Sequence, residues 1–261
     1  MKALSAAAER HRGLIALSAR ETDRVLKLWS QTIVAPVLAS FLFIAVFGLS
    51  LGGRIRSIDG VDYEVFIVPG LVTMAMAQAA YSNNASSVFQ ARADRYLHDV
   101  LSAPMRAWEV NLGLSLGGVV RAVAIGAALL AIAAPVTGVP LREPLALAVA
   151  LALVLVLFAS LGVIVGVYAQ TWDQAGFVNN IVILPLSFLG GVFYSVDLLP
   201  SPWQEASHLN PIFFLINAVR FGFLGTSDVP IAIALAVTAA LAAAVVAWSA
   251  AIFRSGHRLK D

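Results

Sequence analysis

Cysteine is absent from the 261 residues, which excludes disulfides and thiolate metal sites. Charge is scarce: 12% of the residues are Asp, Glu, Lys or Arg, against about 25% in a typical soluble domain. So few charges cannot cover a water-facing surface, and the chain must be solvated by lipid, by other subunits, or by both. The net charge of +2 rests on small numbers of Lys and Arg and does not point to nucleic acid. No lysine follows a glycine, so the GxxxxGK[ST] phosphate loop is missing and ATP cannot be bound and hydrolysed by that route. The histidines His11, His98, His208 and His257 are scattered without metal-ligand spacing. Ser207-His208 beside Glu205 is adjacency in sequence, not a triad, and nothing marks a nucleophile elbow. No carboxylate falls in the middle of an apolar run, which argues against a proton pump relaying through intramembrane Asp or Glu. No catalytic residue, metal or cofactor is expected in this chain.

What remains is hydrocarbon: 60% of the residues are hydrophobic. A helix needs about 20 apolar residues to span the bilayer core, and five stretches meet that length, at residues 33–53, 65–88, 110–134, 145–169 and 231–253. A sixth, 177–195, is shorter and carries Pro185 and Gly190-Gly191. Backbone groups freed by Pro and Gly are tolerated at membrane depth only against protein or water, so this span is expected to lie against one of them. Between 196 and 225, Pro200, Pro202 and Pro211 cut the chain up. Ser201 and Gln204 suit a capping box with Pro202 in the first turn. Asn210-Pro211 ends that helix and begins another, which closes at Gly225. Helices of about 8 and 13 residues reach only about 12 and 20 Å, so the pair is expected to dip into the outer leaflet and return.

The positive charges test that count. With both ends inside, twelve lie on inner segments: Lys2, Arg10, Arg12, Arg20, Arg24, Lys27, Arg92, Arg95, Arg106, Arg254, Arg258 and Lys260. Four lie outside, Arg54, Arg56, Arg142 and Arg220, and Arg121 falls within a span. The bias is positive-inside, and a seventh crossing would move the last three inner charges outside. Ahead of the first span, Val25, Leu28, Trp29 and Thr32 follow helical spacing on one face and Arg20, Arg24 and Lys27 on another. That suits a helix lying flat at the inner surface with Trp29 at headgroup depth, or simply a charged anchor. The uncharged run 13–19 is short for a signal-peptide core and acidic residues follow it, so the first span is expected to stay in the mature protein. The sequence thus predicts an all-α integral membrane protein of six transmembrane helices. It divides into a cytoplasmic segment 1–32 with an interfacial amphipathic helix, a membrane domain 33–253 with a re-entrant outer hairpin, and a cytoplasmic tail 254–261.

Three features stay open on composition alone. Gln78, Ser82, Asn83, Ser86 and Ser87, with Asn179-Asn180, would be costly against lipid; they suit either a polar passage or hydrogen bonds between helices. Arg121 suits pairing with a backbone carbonyl, a lipid headgroup or an anionic substrate. The inner loop 89–110 offers Arg95 and Asp99 at i and i+4, with Leu97 and Leu101 on a neighbouring face and Pro104 as a stop. It reads as a short amphipathic helix, placed either to receive force from another protein or as an ordinary loop helix.

The stretch FLGGVFYSVDLLPSPWQEASHLNPIFFLINAVRFGFLG, residues 188–225, resembles the signature of ABC type-2 exporter permeases. Gly190-Gly191, Leu199-Pro200, Trp203, Asn210-Pro211 and Arg220 carry the likeness. LHDVLSAP (97–104) is similar to that family's coupling helix, with His98 and Asp99 a small variation, and FIVPGL (66–71) to its entry into the second span. Within the family the likeness is to the branch that includes nodulation-factor export permeases and related bacterial permeases of poorly defined cargo. It implies a bacterial inner-membrane subunit that pairs with a second permease copy, as a homodimer or with a sister permease, among membrane lipids. Two separate ATP-binding cassette subunits would bind ATP and Mg and push the helix at 90–103, where Arg92, Arg95, Leu97, His98, Asp99, Leu101 and Pro104 are the coupling candidates. The first and fifth spans would line the path, with Phe41, Phe188 and Phe193, and with Ser82, Asn83 and Asn179 as polar candidates. Cargo would be a lipid, glycolipid, oligosaccharide or hydrophobic drug. The alternatives are an ATP-independent channel or ion-coupled carrier, and a passive membrane anchor.

Overall fold

The computed structural model describes residues 11–51, 57–58 and 60–256, with the side chains of 49–51 outside that description. Lys2, Glu9, Arg10, Arg54, Arg56, His257, Arg258, Lys260 and the last two residues of the first predicted span lie outside the described residues.

The apolar runs fold as helices because in lipid or in a dry core a helix satisfies its own backbone. α1 (Arg12–Lys27) leads through a π-helical turn (Ser30–Val34) into α2 (Ala35–Leu51). A two-residue ribbon, β1 (Ser57–Ile58) with β2 (Val61–Asp62), turns at Gly60 and enters α3 (Tyr63–Ala93). Then follow α4 (Leu97–Ser102), α5 (Ala107–Thr137), α6 (Pro144–Tyr168), α7 (Trp172–Val178), a second π turn (Asn179–Ile183) and α8 (Leu184–Leu189). A 3₁₀ turn (Val196–Leu198), α9 (Ser201–His208), α10 (Pro211–Leu224) and α11 (Ile231–Ser255) complete the described chain. Among the described residues, five helices are long and apolar enough to cross a membrane: the π turn with α2, then α3, α5, α6 and α11.

α3 is the axis of the bundle. Of its most apolar stretch 83% is buried, against 17% for the first and last of these helices, which therefore face outward. α5 and α6 approach α3 through glycine. A methyl group on Gly118 would meet Asn84 Oδ1 at 2.4 Å, and one on Gly162 would meet the Tyr81 carbonyl at 2.4 Å. Small residues at such seams let helix backbones close up, which is how helices gain packing energy where lipid offers no hydrophobic drive.

Several boundaries differ from the sequence reading, each for a physical reason. α1 buries Leu17, Glu21 and Val25, while Leu28 and Trp29 are exposed. Leu17 packs on Gly113 and Glu21 on Gly117, so α1 follows α5 turn by turn. Both π turns sit just ahead of a proline, Pro36 and Pro185, because a ring without an N–H disrupts the bond to the carbonyl four residues back. The Thr171 hydroxyl caps α7 at the Gln174 N–H, 3.2 Å, so the fifth apolar helix begins at Trp172 and ends at Leu189, with Gly190-Gly191 as its stop and not a break within it. α9 starts after Pro200 with no side-chain cap; Gln204 is engaged by the Asp197 carbonyl at 2.9 Å, so the Ser201 capping box does not form. Asn210 does cap α10, accepting from the Ile212 N–H at 3.0 Å, and Gly225 closes it in the left-handed conformation. α10 is largely buried against protein.

Candidate functional site

Three places gather the residues that the sequence singled out. The first is α4, at one end of the bundle. The predicted helix at 90–103 is two pieces: residues 90–93 finish α3, and Arg95 adopts φ +63° before α4 begins. Arg95 and Asp99 therefore do not share a helix face. Arg92 turns inward, donating to the Val167 carbonyl and to that of Ala169 at 3.1 Å, which satisfies the carbonyls at the end of α6. Leu97 is buried in a cluster with Val88, Val110, Leu114, Val167 and Phe253, drawn from α3, α5, α6 and α11. His98, Asp99 and Pro104 are exposed and Leu101 half-buried. The result is a short helix held by one leucine in a hydrophobic cluster shared by four long ones.

The second place is a crevice of about 240 Å³ between α2, α3, α5 and α8. Its walls include Ser40, Phe43, Gln78, Ser82, Arg121 and Leu184. Pro36 cannot donate to the Thr32 carbonyl four residues back, and Arg121 Nε donates to that carbonyl instead, at 2.9 Å. The polar stripe of α3 divides. Gln78 and Ser82, one turn apart, face the crevice, whereas Asn83, Asn84 and Ser87 are buried in packing. Asn84 binds α5 and α6 at once: it donates to the carbonyls of Ser115 (3.2 Å) and Ala159 (3.0 Å) and accepts from the Gly118 N–H (3.0 Å). Ser87 donates to Glu21 at 2.6 Å, and Arg24 pairs with Glu21 at 3.2 Å and reaches the Asn83 carbonyl at 3.3 Å. Asn83 is thus turned from the crevice towards α1 and α5. Asn179 lies in the second π turn and donates to Asn180 at 3.1 Å, away from the crevice walls.

Beside the crevice, Phe188 and Phe193 stack at 5.6 Å between ring centres, and Phe193 stacks on Phe47 at 4.6 Å. Phe43 joins both. The first-span aromatics that meet Phe193, just past the end of the fifth helix, are therefore Phe43 and Phe47, one turn apart. Phe41 packs against the core outside this ring cluster. The spacing i, i+4 carried that signal; a single position could not.

The third place is the signature stretch. Gly191, at φ +84°, offers its carbonyl to Arg220, which is 1% exposed. The guanidinium stacks on Phe66 at 4.1 Å and lies 3.5 Å from Asp228. Asp228 accepts from the Ser195 hydroxyl (3.1 Å) and the Val196 N–H (3.3 Å), and its own N–H donates to Asn217 at 2.8 Å. Asn210 donates to the Leu186 carbonyl at 2.6 Å, and Gly190 leaves room for the Phe213 N–H. These residues form a buried lock joining α3, α8, α10 and the approach to α11. Asp228 and Asn217, its polar centre, had no motif to announce them. Pro200 and Trp203 stand apart, on an apolar groove of about 730 Å³ with Leu186, Tyr194 and Leu209.

A bundle of long apolar helices with a lateral crevice is the form of a multi-span membrane protein. Residues 12–224 match the ABC-2 type transporter family, and the chain belongs to that family. It is 39% identical over 245 residues to the inner membrane transport permease YadH of Escherichia coli K12, covering 93% of this chain and 95% of that protein. Nodulation protein J of Rhizobium leguminosarum bv. trifolii is 29% identical over 202 residues, covering 76% and 77%. That of Sinorhizobium fredii NGR234 is 26% identical over 197 residues, covering 74% and 75%.

Proposed function

We propose that the chain is the membrane subunit of an ATP-driven exporter of the bacterial inner membrane. Two copies pair to form the path, and two separate ATPase subunits bind ATP and Mg and dock at α4. The observation that carries this reading is the seating of α4. Leu97 anchors it in a hydrophobic cluster whose members come from α3, α5, α6 and α11 while Asp99 and His98 face out, so a push on α4 acts on the cluster that joins the four long helices. The family's usual pairing with an ATPase supports the same reading. Six crossings follow if the 18 residues from Trp172 to Leu189 act as a short span and α9 with α10 as a re-entrant pair. The contact of Asn210 with Leu186 at the tip supports this, as does that of Gly222 and Phe223 with the start of α6. The positive-inside bias then puts both termini in the cytoplasm. Phe43, Phe47, Phe188 and Phe193 line the path where first and fifth spans meet, and cargo is a lipid, glycolipid, oligosaccharide or hydrophobic drug.

The test is co-purification of the tagged permease with a GxxxxGK[ST] protein and assay of the complex. Asp99→Arg and Leu101→Arg are expected to lower its ATPase rate about tenfold or more, since a like charge or buried cation at a docking face costs upwards of 1.4 kcal/mol. Undiminished assembly and turnover in both variants would remove α4 from the docking face. Gradient-driven transport by the chain alone in liposomes would favour the channel or ion-coupled carrier instead.

A further inference from the structure

Arg121 stands near the middle of α5, a helix of 31 residues and so roughly 46 Å long, well beyond the roughly 30 Å hydrocarbon core. A long helical side chain leans toward its helix N-terminus, and Arg121 does so, reaching the Thr32 carbonyl where the first span begins. On the membrane placement proposed above, with the first span beginning beside Thr32, the guanidinium lies at the level where a lipid headgroup meets its chains. Only Nε is engaged. Among the described residues Nη1 and Nη2 have no hydrogen bond, and the walls of the crevice hold no carboxylate. Gln78 Nε2 is buried there without a partner, and Ser40 and Ser82 add hydroxyls. A donor set of one fork-shaped cation, an amide and two hydroxyls suits a phosphate group.

The other end of the crevice is apolar, with Phe43, Met74, Ala75 and Leu184. It continues along α2 into a groove of about 220 Å³ lined by Ala39, Leu42, Phe43, Val46 and Phe47, with no polar surface. Head and tail are thus provided in line. We infer that this crevice is a binding site for a phosphate-bearing amphiphile, its phosphate held by Arg121, Gln78 and Ser82 and its hydrocarbon laid along the outer face of α2. The site rests on the membrane placement proposed above but not on the ATPase partnership, so its test uses the permease alone.

Full-length permease in neutral detergent is titrated with dioleoylphosphatidic acid, with dioleoylglycerol (the same tails without phosphate), and with inorganic phosphate, and occupancy is read by native mass spectrometry. The phosphatidic acid is expected to bind at least about tenfold tighter than dioleoylglycerol, the order of one or two charge-assisted hydrogen bonds. Arg121→Gln should erase that preference while dioleoylglycerol binding stays; Arg121→Lys should keep part of it. Gln78→Leu, which leaves the Arg121–Thr32 bond in place, should lower it severalfold and serves if Arg121→Gln does not fold. Equal binding of the two lipids by the unaltered protein would overturn the site, as would a preference indifferent to both Arg121→Gln and Gln78→Leu. Displacement of the phosphatidic acid by an equal concentration of inorganic phosphate would assign the cradle to a free anion and overturn the amphiphile.

Discussion

Asn84 and Asp228 show how few polar atoms hold an apolar bundle to one arrangement. Asn84 is fully buried and bonded to backbone atoms of two neighbouring helices. A hydrogen bond between membrane helices averages about 0.6 kcal/mol, so three shared by one side chain amount to about 2 kcal/mol. Asn84→Ala should lower stability by about that much in thermal denaturation of the detergent-solubilised permease. Ser82→Ala, one helical half-turn away on the crevice wall, should change it by less than about 0.5 kcal/mol. Asp228 and Arg220 carry a larger stake, because their side chains are 3% and 1% exposed. Asp228→Ala leaves a buried guanidinium short of its counter-charge, a loss of about 3–5 kcal/mol for a broken buried pair, and should nearly abolish folded protein in size-exclusion profiles. Arg220→Met with Asp228→Ala removes both charges and should recover a good part of it. If the double variant is no better than the single, the pair is not the source of the loss.

At the scale of elements, the two π turns share one cause and have different uses. Each precedes a proline, Pro36 or Pro185, in an apolar helix that cannot leave a carbonyl open to lipid. At Pro36 the freed carbonyl is taken by Arg121, which ties the start of the first span to α5. Pro36→Ala should let α2 form its own bond there and release Arg121 from the elbow. The expected readout is faster proteolysis or hydrogen exchange of α1, whose path along α5 then loses its upper fastening. Unchanged protection of residues 12–27 would show that Leu17, Glu21 and Val25 hold α1 without help. α4 is the opposite kind of element, six residues long and so too short to be stable by itself. It exists because Leu97 has a socket.

For the whole molecule, the absence of cysteine makes the topology directly readable. Single-cysteine variants at exposed positions, Ser102→Cys, Ser201→Cys and Thr226→Cys, can be labelled in intact cells with a membrane-impermeant maleimide. Six crossings with a re-entrant pair require Ser201→Cys and Thr226→Cys to react from outside and Ser102→Cys only after lysis. Labelling of Ser201→Cys and Thr226→Cys from opposite sides would make the pair a true crossing and reverse the C-terminus.

Hydropathy along the chain determined that this is a helical membrane protein, and it located the five long apolar helices to within a few residues, because desolvation cost is set locally by composition and length. Proline and asparagine likewise marked α10 and the end of α4. The sequence also drew together the resemblance in 188–225, which family membership bears out. It did not show that Gly191, Arg220 and Asp228 meet, that Asn83 faces packing while Ser82 faces a crevice, or that Phe43 and Phe47 meet Phe193. In a chain where nearly every face of every helix is apolar, periodicity cannot say which face is inside. Only the close approach of α5 and α6 to α3, permitted by Gly118 and Gly162, decides it. The scarcity of charge set the solvent for this protein. The tertiary structure placed the few charges it has, and with them an arginine whose remaining donors open on a crevice.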